Sequence, residues 1–466
     1  MNLLKRETPL SSPVKVIQFG EGNFLRAFID WMIQEMNDKC DFNGAVQLVQ
    51  PIEKGMADMI NAQDGLYSLI LRGVENGKVI SEKRVIECVK GCLNPASEWD
   101  EIIKSFCSDD LRFMFSNTTE AGIEYKPEAY TPGVMQTTFP AKVTALFYER
   151  FKAGKKGLLV IPCELIDKNG ATLKKYILQY ADDWKLGDDF KNYIENGNTF
   201  FNTLVDRIVA GYPRNEAAQL CEEFGYQDNL IDCGEVFHLF VIEGPKTILN
   251  ELPFDKAGLN VIVTDNQKPY RERKVRFLNG AHTGSVLGAY LGGCKTVDQM
   301  VEHPVYGKFV EKLLFDEIFK TVQLPDDEKK AFASSILERF KNPFANHQLL
   351  SISLNSISKF KVRNLPSLLD YYKLEGKLPQ GLVFSLAALI TFYTTDGDYT
   401  LNDDADAIAF MKALPGCPVA KAGAVLANTS FWGEDLSKIA NFTDLLAADL
   451  KNIAEKGIEQ ATKDVL

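Results

Sequence analysis

Val14-Lys15-Val16-Ile17-Gln18-Phe19-Gly20-Glu21-Gly22-Asn23-Phe24-Leu25-Arg26 is the stretch that decides the fold. Apolar residues cluster over 14–19 as in a strand, and the chain then meets Gly20-Glu21-Gly22. From 24 to 36 the apolar positions Phe24, Phe28, Trp31, Met32 and Met36 recur at helical spacing. Strand, glycine turn and helix form the opening of a nucleotide-binding unit. The glycines let the backbone approach a pyrophosphate, and the start of the helix offers unpaired N–H groups and the positive end of its dipole. Phe19, Gly20, Glu21, Gly22, Asn23, Phe24 and Arg26 are therefore the first candidates for cofactor contacts. Leu25 stands where the usual GxGxxG pattern has its third glycine. Taken alone the motif fits a tight structural turn equally well, and its place at the first strand-to-helix junction carries the functional reading.

Working outward, strand patterns recur at 45–49, 66–72, 113–116, 157–162 and 260–264, with helical patterns between several of them. This alternation predicts an α/β fold, an expanded Rossmann-type doubly wound domain whose mainly parallel sheet is covered by helices on both faces. From Lys274 onward the texture changes to a mainly α-helical C-terminal domain, with helices expected over 301–322, 327–340, 348–360, 382–393 and 442–460. A chain of 466 residues is too long for one ordinary core. The expected division is a dinucleotide-binding domain over 1–266 and a helical substrate-binding and catalytic domain over 267–466. The longest apolar run, 381–393, is too short to span a bilayer and reads as a buried helix.

The net charge of -11, spread along the chain, argues against nucleic-acid and anionic-membrane partners, which require a basic surface. A small anionic substrate remains compatible, because one pocket can concentrate positive charge in an acidic protein. Nine cysteines without a CxxC pair fit reduced thiols in a cytoplasm better than a disulfide framework. Cys88 and Cys92 are four apart, but no second Cys or His pair completes a zinc site, so no metal is expected. The first 20 residues hold no apolar core of signal-peptide length, which again points to the cytoplasm.

Four further stretches could carry chemistry. After the second strand comes Gln50-Pro51-Ile52-Glu53, where a carboxylate would accept from the ribose hydroxyls of NAD and exclude the extra phosphate of NADP. Glu53 favours NAD, although a solvated loop residue reads the same way. Asn117, Thr118, Thr119 and Glu120 follow another strand and could line the nicotinamide ribose or simply cap a helix. The run Arg271-Glu272-Arg273-Lys274-Val275-Arg276-Phe277-Leu278-Asn279-Gly280-Ala281-His282 offers what carbonyl reduction needs: a proton donor and polar groups for a developing alkoxide. On a helix Asn279 and His282 share one side, whereas Lys274 would have to reach in from the preceding turn. Spacing alone also fits a surface basic stretch followed by a packed histidine. Arg339, His347, Lys359 and Arg363 are candidate carboxylate contacts, though such residues more often line solvated helix faces.

Together IQFGEGNFLRAF, FSNTTEAGI, IPCELIDKNG, TLVDRIVAGYPR, RERKVRFLNGAH and RFKNPFANHQLLSISLN make the chain resemble the mannitol dehydrogenase family of long-chain polyol dehydrogenases over nearly its full length. The resemblance implies an expanded Rossmann domain followed by a helical one, and metal-independent hydride transfer with NAD. It implies that Lys274 of the KxxxxNxxH pattern is the acid-base residue, with Asn279 and His282 polarising and orienting the substrate oxygen, and that Val205-Asp206-Arg207 is mostly structural. One departure matters: where the mannitol enzymes carry a CDNxPxNG-like stretch, this chain has Cys163-Glu164-Leu165-Ile166-Asp167-Lys168-Asn169-Gly170. Leu165 cannot donate a hydrogen bond, so the oxyanion contact falls to Asn279 or another donor, and the role of Asn169 is open. The departure fits the family's uronate branch, which implies reduction of D-tagaturonate to D-altronate. Fructuronate, a polyol substrate and a non-catalytic dinucleotide sensor stay open as alternatives, as does the oligomeric state.

Overall fold

The computed structural model describes residues 1–118 and 122–466. Strands form at β1 (Val14–Phe19), β2 (Ala45–Val49), β3 (Tyr67–Glu75), β4 (Lys78–Ile86), β5 (Val89–Leu93) and β6 (Phe113–Ser116). They continue at β7 (Leu159–Pro162), β8 (Thr199–Phe200), β9 (Asn202–Asp206), β10 (Asp232–Glu235), β11 (Leu239–Glu243) and β12 (Val261–Thr264). The chain divides into two compact units, Met1–Arg72 with Ile80–Gln267, and Gly73–Val79 with Lys268–Leu466.

In the first unit the main sheet has the order β5-β2-β1-β6-β7-β8, with parallel pairing at every step. The order reverses between β1 and β6, which is the doubly wound arrangement, and ligands of such sheets bind at the carboxyl ends of the strands where it reverses. Side chains alternate across the sheet as a strand requires. Val16 joins a core with Phe28, Met32 and Ile33 on one face, and Ile17 and Phe19 join Ile102, Val143 and Ile177 on the other. A small sheet, β12-β11-β9, pairs β11 parallel with β12 and antiparallel with β9.

The strand expected at 66–72 runs further, to Glu75, and turns back into β4 through Asn76 and Gly77. Both turn residues have positive φ, 52° and 74°, the backbone that a two-residue hairpin turn demands.

The second unit is helical apart from the hairpin tip. Helix Gln380–Thr394 is buried along almost its whole length, as a buried helix rather than a membrane span requires. Its first N–H groups are met by Glu317, whose carboxylate accepts from Gly381 (2.7 Å) and Leu382 (2.8 Å). Among the described residues no helix is long and apolar enough to cross a membrane. Three expected helices are each broken. The 301–322 helix ends at Glu302 because His303 precedes Pro304 and takes an extended backbone (ψ 130°). The 348–360 helix is interrupted at Asn355 (φ 53°), and the 442–460 helix at Gly457 (φ 81°).

Candidate active site

The glycine turn sits where the order of the main sheet reverses. Gly20 donates its N–H to the Val49 carbonyl, and Asn117, at the end of β6, donates its N–H to the Phe19 carbonyl, both at 2.9 Å. Gly20 has φ 123°, and a Cβ there would stand 2.8 Å from the Asn117 carbonyl oxygen, so the protein itself demands this glycine. Gly22 differs. Its φ of -68° suits any residue, and a Cβ would meet nothing within 4 Å. Among the described residues of the first unit no group explains this glycine, whereas a phosphate drawn against the backbone at the start of the helix would. The residues present thus fit a dinucleotide.

The other cofactor candidates divide. Asn23 and Phe24 open the helix and are half-buried, and Glu53 is exposed beyond β2. Gln50, almost fully buried, shapes that loop by donating to the carbonyls of Ile52 and Glu53 (both 2.9 Å). Glu21 bridges inward: its carboxylate accepts from the Met56 N–H at 3.2 Å, and burial pushes its pKa up. Three expectations are corrected. Phe19 puts its ring in the core, edge-on to Phe139 (5.4 Å). Arg26 is buried and committed within the fold, donating to the Leu230 carbonyl (2.7 Å) and to Asn23 Oδ1 (2.6 Å), with its guanidinium 4.9 Å from the Tyr67 ring. The Thr118 hydroxyl is committed to Glu164 Oε1 at 3.0 Å. Thr119 and Glu120 lie outside the described residues.

Beyond β7, Glu164 accepts from Ser116 Oγ and from the Thr118 N–H, each at 3.0 Å. Asn169 is fully buried and spends its amide on the Pro162 carbonyl (3.0 Å), Thr203 Oγ1 (3.0 Å) and the N–H groups of Gly170 and Thr203 (2.9 Å each). It braces the loop, while Leu165 stands 58% exposed. Arg207 behaves as a structural residue too. It lies over Trp31 (4.0 Å), donates to the Ala27 carbonyl (2.6 Å), and burial lowers its pKa to about 9.

In the second unit, Lys274, Asn279 and His282 ride on one unbroken helical run, α over Lys268–Arg273, π over Lys274–Asn279 and α again over Gly280–Leu291. The Gly280 N–H bonds the Val275 carbonyl, the i→i+5 closure of a π turn. A wider turn brings residues five apart round toward one face, so Lys274 need not reach in from a preceding turn, as the sequence suggested. Lys274 and Asn279 are half-buried. Arg276 is committed to Asp370 (2.7 Å) and the Thr321 carbonyl (3.0 Å), and Arg273 lies over Phe332 (4.2 Å).

His282 is buried, its ring stacked on Phe340 (4.1 Å, 14°) and edge-on to His347 (5.5 Å, 82°). Burial first, and then the neighbouring His347, Arg339, Arg363 and Lys359, hold its imidazole well below the usual range, so it is neutral at pH 7. Its Nε2 has no hydrogen-bond partner among the described residues. All four proposed carboxylate contacts therefore gather electrostatically around one candidate catalytic residue. Lys359 donates to the Ile352 carbonyl (2.9 Å), and burial, then Arg363, push its pKa down. Arg363 reaches Thr283 Oγ1 at 3.2 Å. Phe340 adjoins Arg339 but carries no charge that would mark it in the sequence. No group of three or more Cys, His, Asp or Glu suited to a metal occurs among the described residues.

The chain matches known proteins over nearly its whole length. Residues 14–256 match the mannitol dehydrogenase Rossmann domain and 266–454 the mannitol dehydrogenase C-terminal domain. The chain is 46% identical to an altronate oxidoreductase of Phocaeicola vulgatus and 45% identical to one of Bacteroides thetaiotaomicron, covering 100% of each chain in both cases. An altronate oxidoreductase of Yersinia enterocolitica is 44% identical over 98% of both chains. The fold is similar to that of a substrate-free D-sorbitol dehydrogenase (TM-score 0.81, 22% identity, 99% of this chain and 97% of the other). It is also similar to that of the Pseudomonas fluorescens mannitol 2-dehydrogenase in its ternary complex with NAD and D-mannitol (TM-score 0.70, 20% identity, 100% and 96%). The chain belongs to the mannitol dehydrogenase family.

Proposed function

We propose that the protein is a tagaturonate reductase, interconverting D-tagaturonate and D-altronate with NAD(H) in hexuronate catabolism. Homology to altronate oxidoreductases over the whole chain supports the reaction. The single observation that carries the choice of a sugar acid over a neutral polyol is the set of cationic side chains around buried His282. Arg339, Lys359 and Arg363, with His347, would hold the carboxylate, for which charge-assisted hydrogen bonds are well suited.

Gly20–Gly22, with Asn23, Phe24, Glu53 and Asn117, would hold NADH, which when bound would supply the hydride for the ketone carbon. Lys274, as ammonium, gives its proton to the oxygen that becomes the new hydroxyl. In the reverse direction its neutral amine takes that proton back. Asn279 donates its amide N–H to the same oxygen while negative charge develops there. His282, neutral and with Nε2 unspent inside the fold, has the capacity to add a second hydrogen bond.

The division of labour follows the chain, with residues 1–266 taking the dinucleotide and 267–466 the substrate. Nine cysteines without a disulfide suit a reducing cytoplasm. The test is spectrophotometric NADH oxidation with tagaturonate, fructuronate and fructose, where tagaturonate should give the highest kcat/KM.

A further inference from the structure

The helix bearing Asn279 and His282 is gripped at the point where its π turn passes into α. Gly280 is the junction, since its own N–H closes the last i→i+5 bond, to Val275. The grip comes from Asn364, fully buried between helices Ser356–Arg363 and Leu365–Glu375. Its Nδ2 donates to the Gly280 carbonyl at 2.9 Å. One turn on, a Cβ at Gly284 would stand 3.0 Å from Leu313 Cδ1, 3.1 Å from Ser385 Oγ and 3.2 Å from the same nitrogen, so the glycine leaves room for all three. The adjoining Arg363 carbonyl lies 3.4 Å from where a Gly280 Cβ would be.

Two features set this contact apart from ordinary packing. The Asn364 backbone is already spent within the helices, its N–H on Phe360 and its carbonyl on Leu368. The side-chain Oδ1, although buried, has no hydrogen-bond partner among the described residues. An orphaned buried acceptor is destabilising, and a leucine of similar size would avoid that cost. The amide is therefore kept for what its donor holds.

A π turn accommodates one residue more than an α turn. If the junction slipped by one position, everything on its N-terminal side would rotate relative to His282 by roughly 100°, the angle per residue of an α-helix. Lys274 and Asn279 lie on that side and His282 on the other. We infer that Asn364 is a positioning residue that pins the register of the π turn, and with it the mutual orientation of Lys274, Asn279 and His282. The inference rests on the catalytic reading of those three residues.

The test is steady-state NADH oxidation with tagaturonate by the full-length Asn364→Leu protein, alongside its melting temperature and NADH affinity. The expected result is a kcat lowered ~10- to 100-fold, the scale of a misplacement of about 1 Å. KM should change less than about threefold, NADH affinity should be unchanged, and the melting temperature should be equal or higher because the orphan acceptor is gone. A kcat within about threefold of the parent overturns the inference, as does a kcat that falls only in step with the melting temperature. If Asn364→Leu does not fold, Asn364→Ala removes the amide without adding bulk and is read in the same way. Lower kcat at unchanged KM supports the pin, and unchanged kcat overturns it. A parent protein inactive on all three substrates sinks the proposed function itself, whereas an active parent with an indifferent Asn364→Leu sinks only the pin.

Discussion

The imidazole of His282 lies face to face on the phenyl ring of Phe340, centroids 4.1 Å apart and planes 14° from parallel. Stacking fixes the plane of the imidazole and keeps water from one of its faces. Phe340→Leu should therefore lower kcat by about tenfold while KM for the sugar acid moves little, the pattern of a lost orienting contact. Equal kcat in parent and variant would remove Phe340 from the account.

The neutrality of His282 also predicts how the fold responds to acid. Its pKa is lowered in the folded state, and an unfolded histidine titrates near 6.5. Below that pH the unfolded chain binds the extra proton, so the contribution of His282 to stability is complete above about pH 6.5 and is lost as the pH falls. His282→Gln should lessen the drop in melting temperature between pH 7 and pH 5. An identical drop in parent and variant would contradict the buried, neutral imidazole.

Carboxylate recognition is separable from carbonyl chemistry. Lys359→Met should raise KM for tagaturonate about 10- to 100-fold, the worth of one hydrogen bond to a charged group. It should leave KM for fructose, which has no carboxylate, where it was. A parallel loss on both substrates would show that Lys359 serves the fold and not the acid group.

The two glycines of the turn predict opposite behaviour. At Gly20 a side chain meets both the positive φ and the Asn117 carbonyl, so Gly20→Ala should lower the melting temperature. At Gly22 it meets only open space, so Gly22→Ala should melt like the parent yet raise KM for NADH at least about tenfold. Thermal scanning and NADH titration separate the two. An unaltered KM for NADH in Gly22→Ala would argue against a phosphate at this turn.

Asp449 is buried and accepts from Gln380 Nε2 at 3.0 Å, and burial pushes its carboxyl up to about 7. An unfolded Asp titrates near 3.9. The stability it contributes is complete below about pH 4 and is lost as the pH rises through about 7, leaving a buried charge that the fold must carry. Asp449→Asn should be more stable than the parent at pH 8, by about 1–3 kcal/mol, and the gain should vanish by pH 4. A gain equal at both pH values would mean that charge is not its origin.

Much of this was legible in the sequence. The opening strand, glycine turn and helix stood out because the strand and helix periods differ and Gly20 and Gly22 punctuate them. The helical second half was readable from its periodicity, but its interruptions were harder to find. Pro304 and Gly457 are visible breakers, whereas the left-handed Asn355 is a backbone choice set by packing. The hairpin at Asn76-Gly77 carried a clear signal that was missed, since that dipeptide favours the required turn. At the site, charge and spacing pointed to the residues later found around His282. Arg26 misled because a cation beside a glycine turn looks like a phosphate ligand, while its burial against Leu230 and Tyr67 depends on residues some 40 and 200 positions away. Phe340 and Asn364 were invisible for the same reason. An aromatic ring or an amide in a helical stretch reads as packing until its partner is known. The π turn has no letter pattern at all.

The most direct test of the central claim is NADH oxidation by the purified protein with tagaturonate, fructuronate and fructose, repeated with Lys274→Ala. The account predicts turnover with tagaturonate well above the other two and its near-complete loss in Lys274→Ala, with NADH affinity intact. Equal or better turnover of fructose, or a Lys274→Ala protein within a few-fold of the parent, would contradict it.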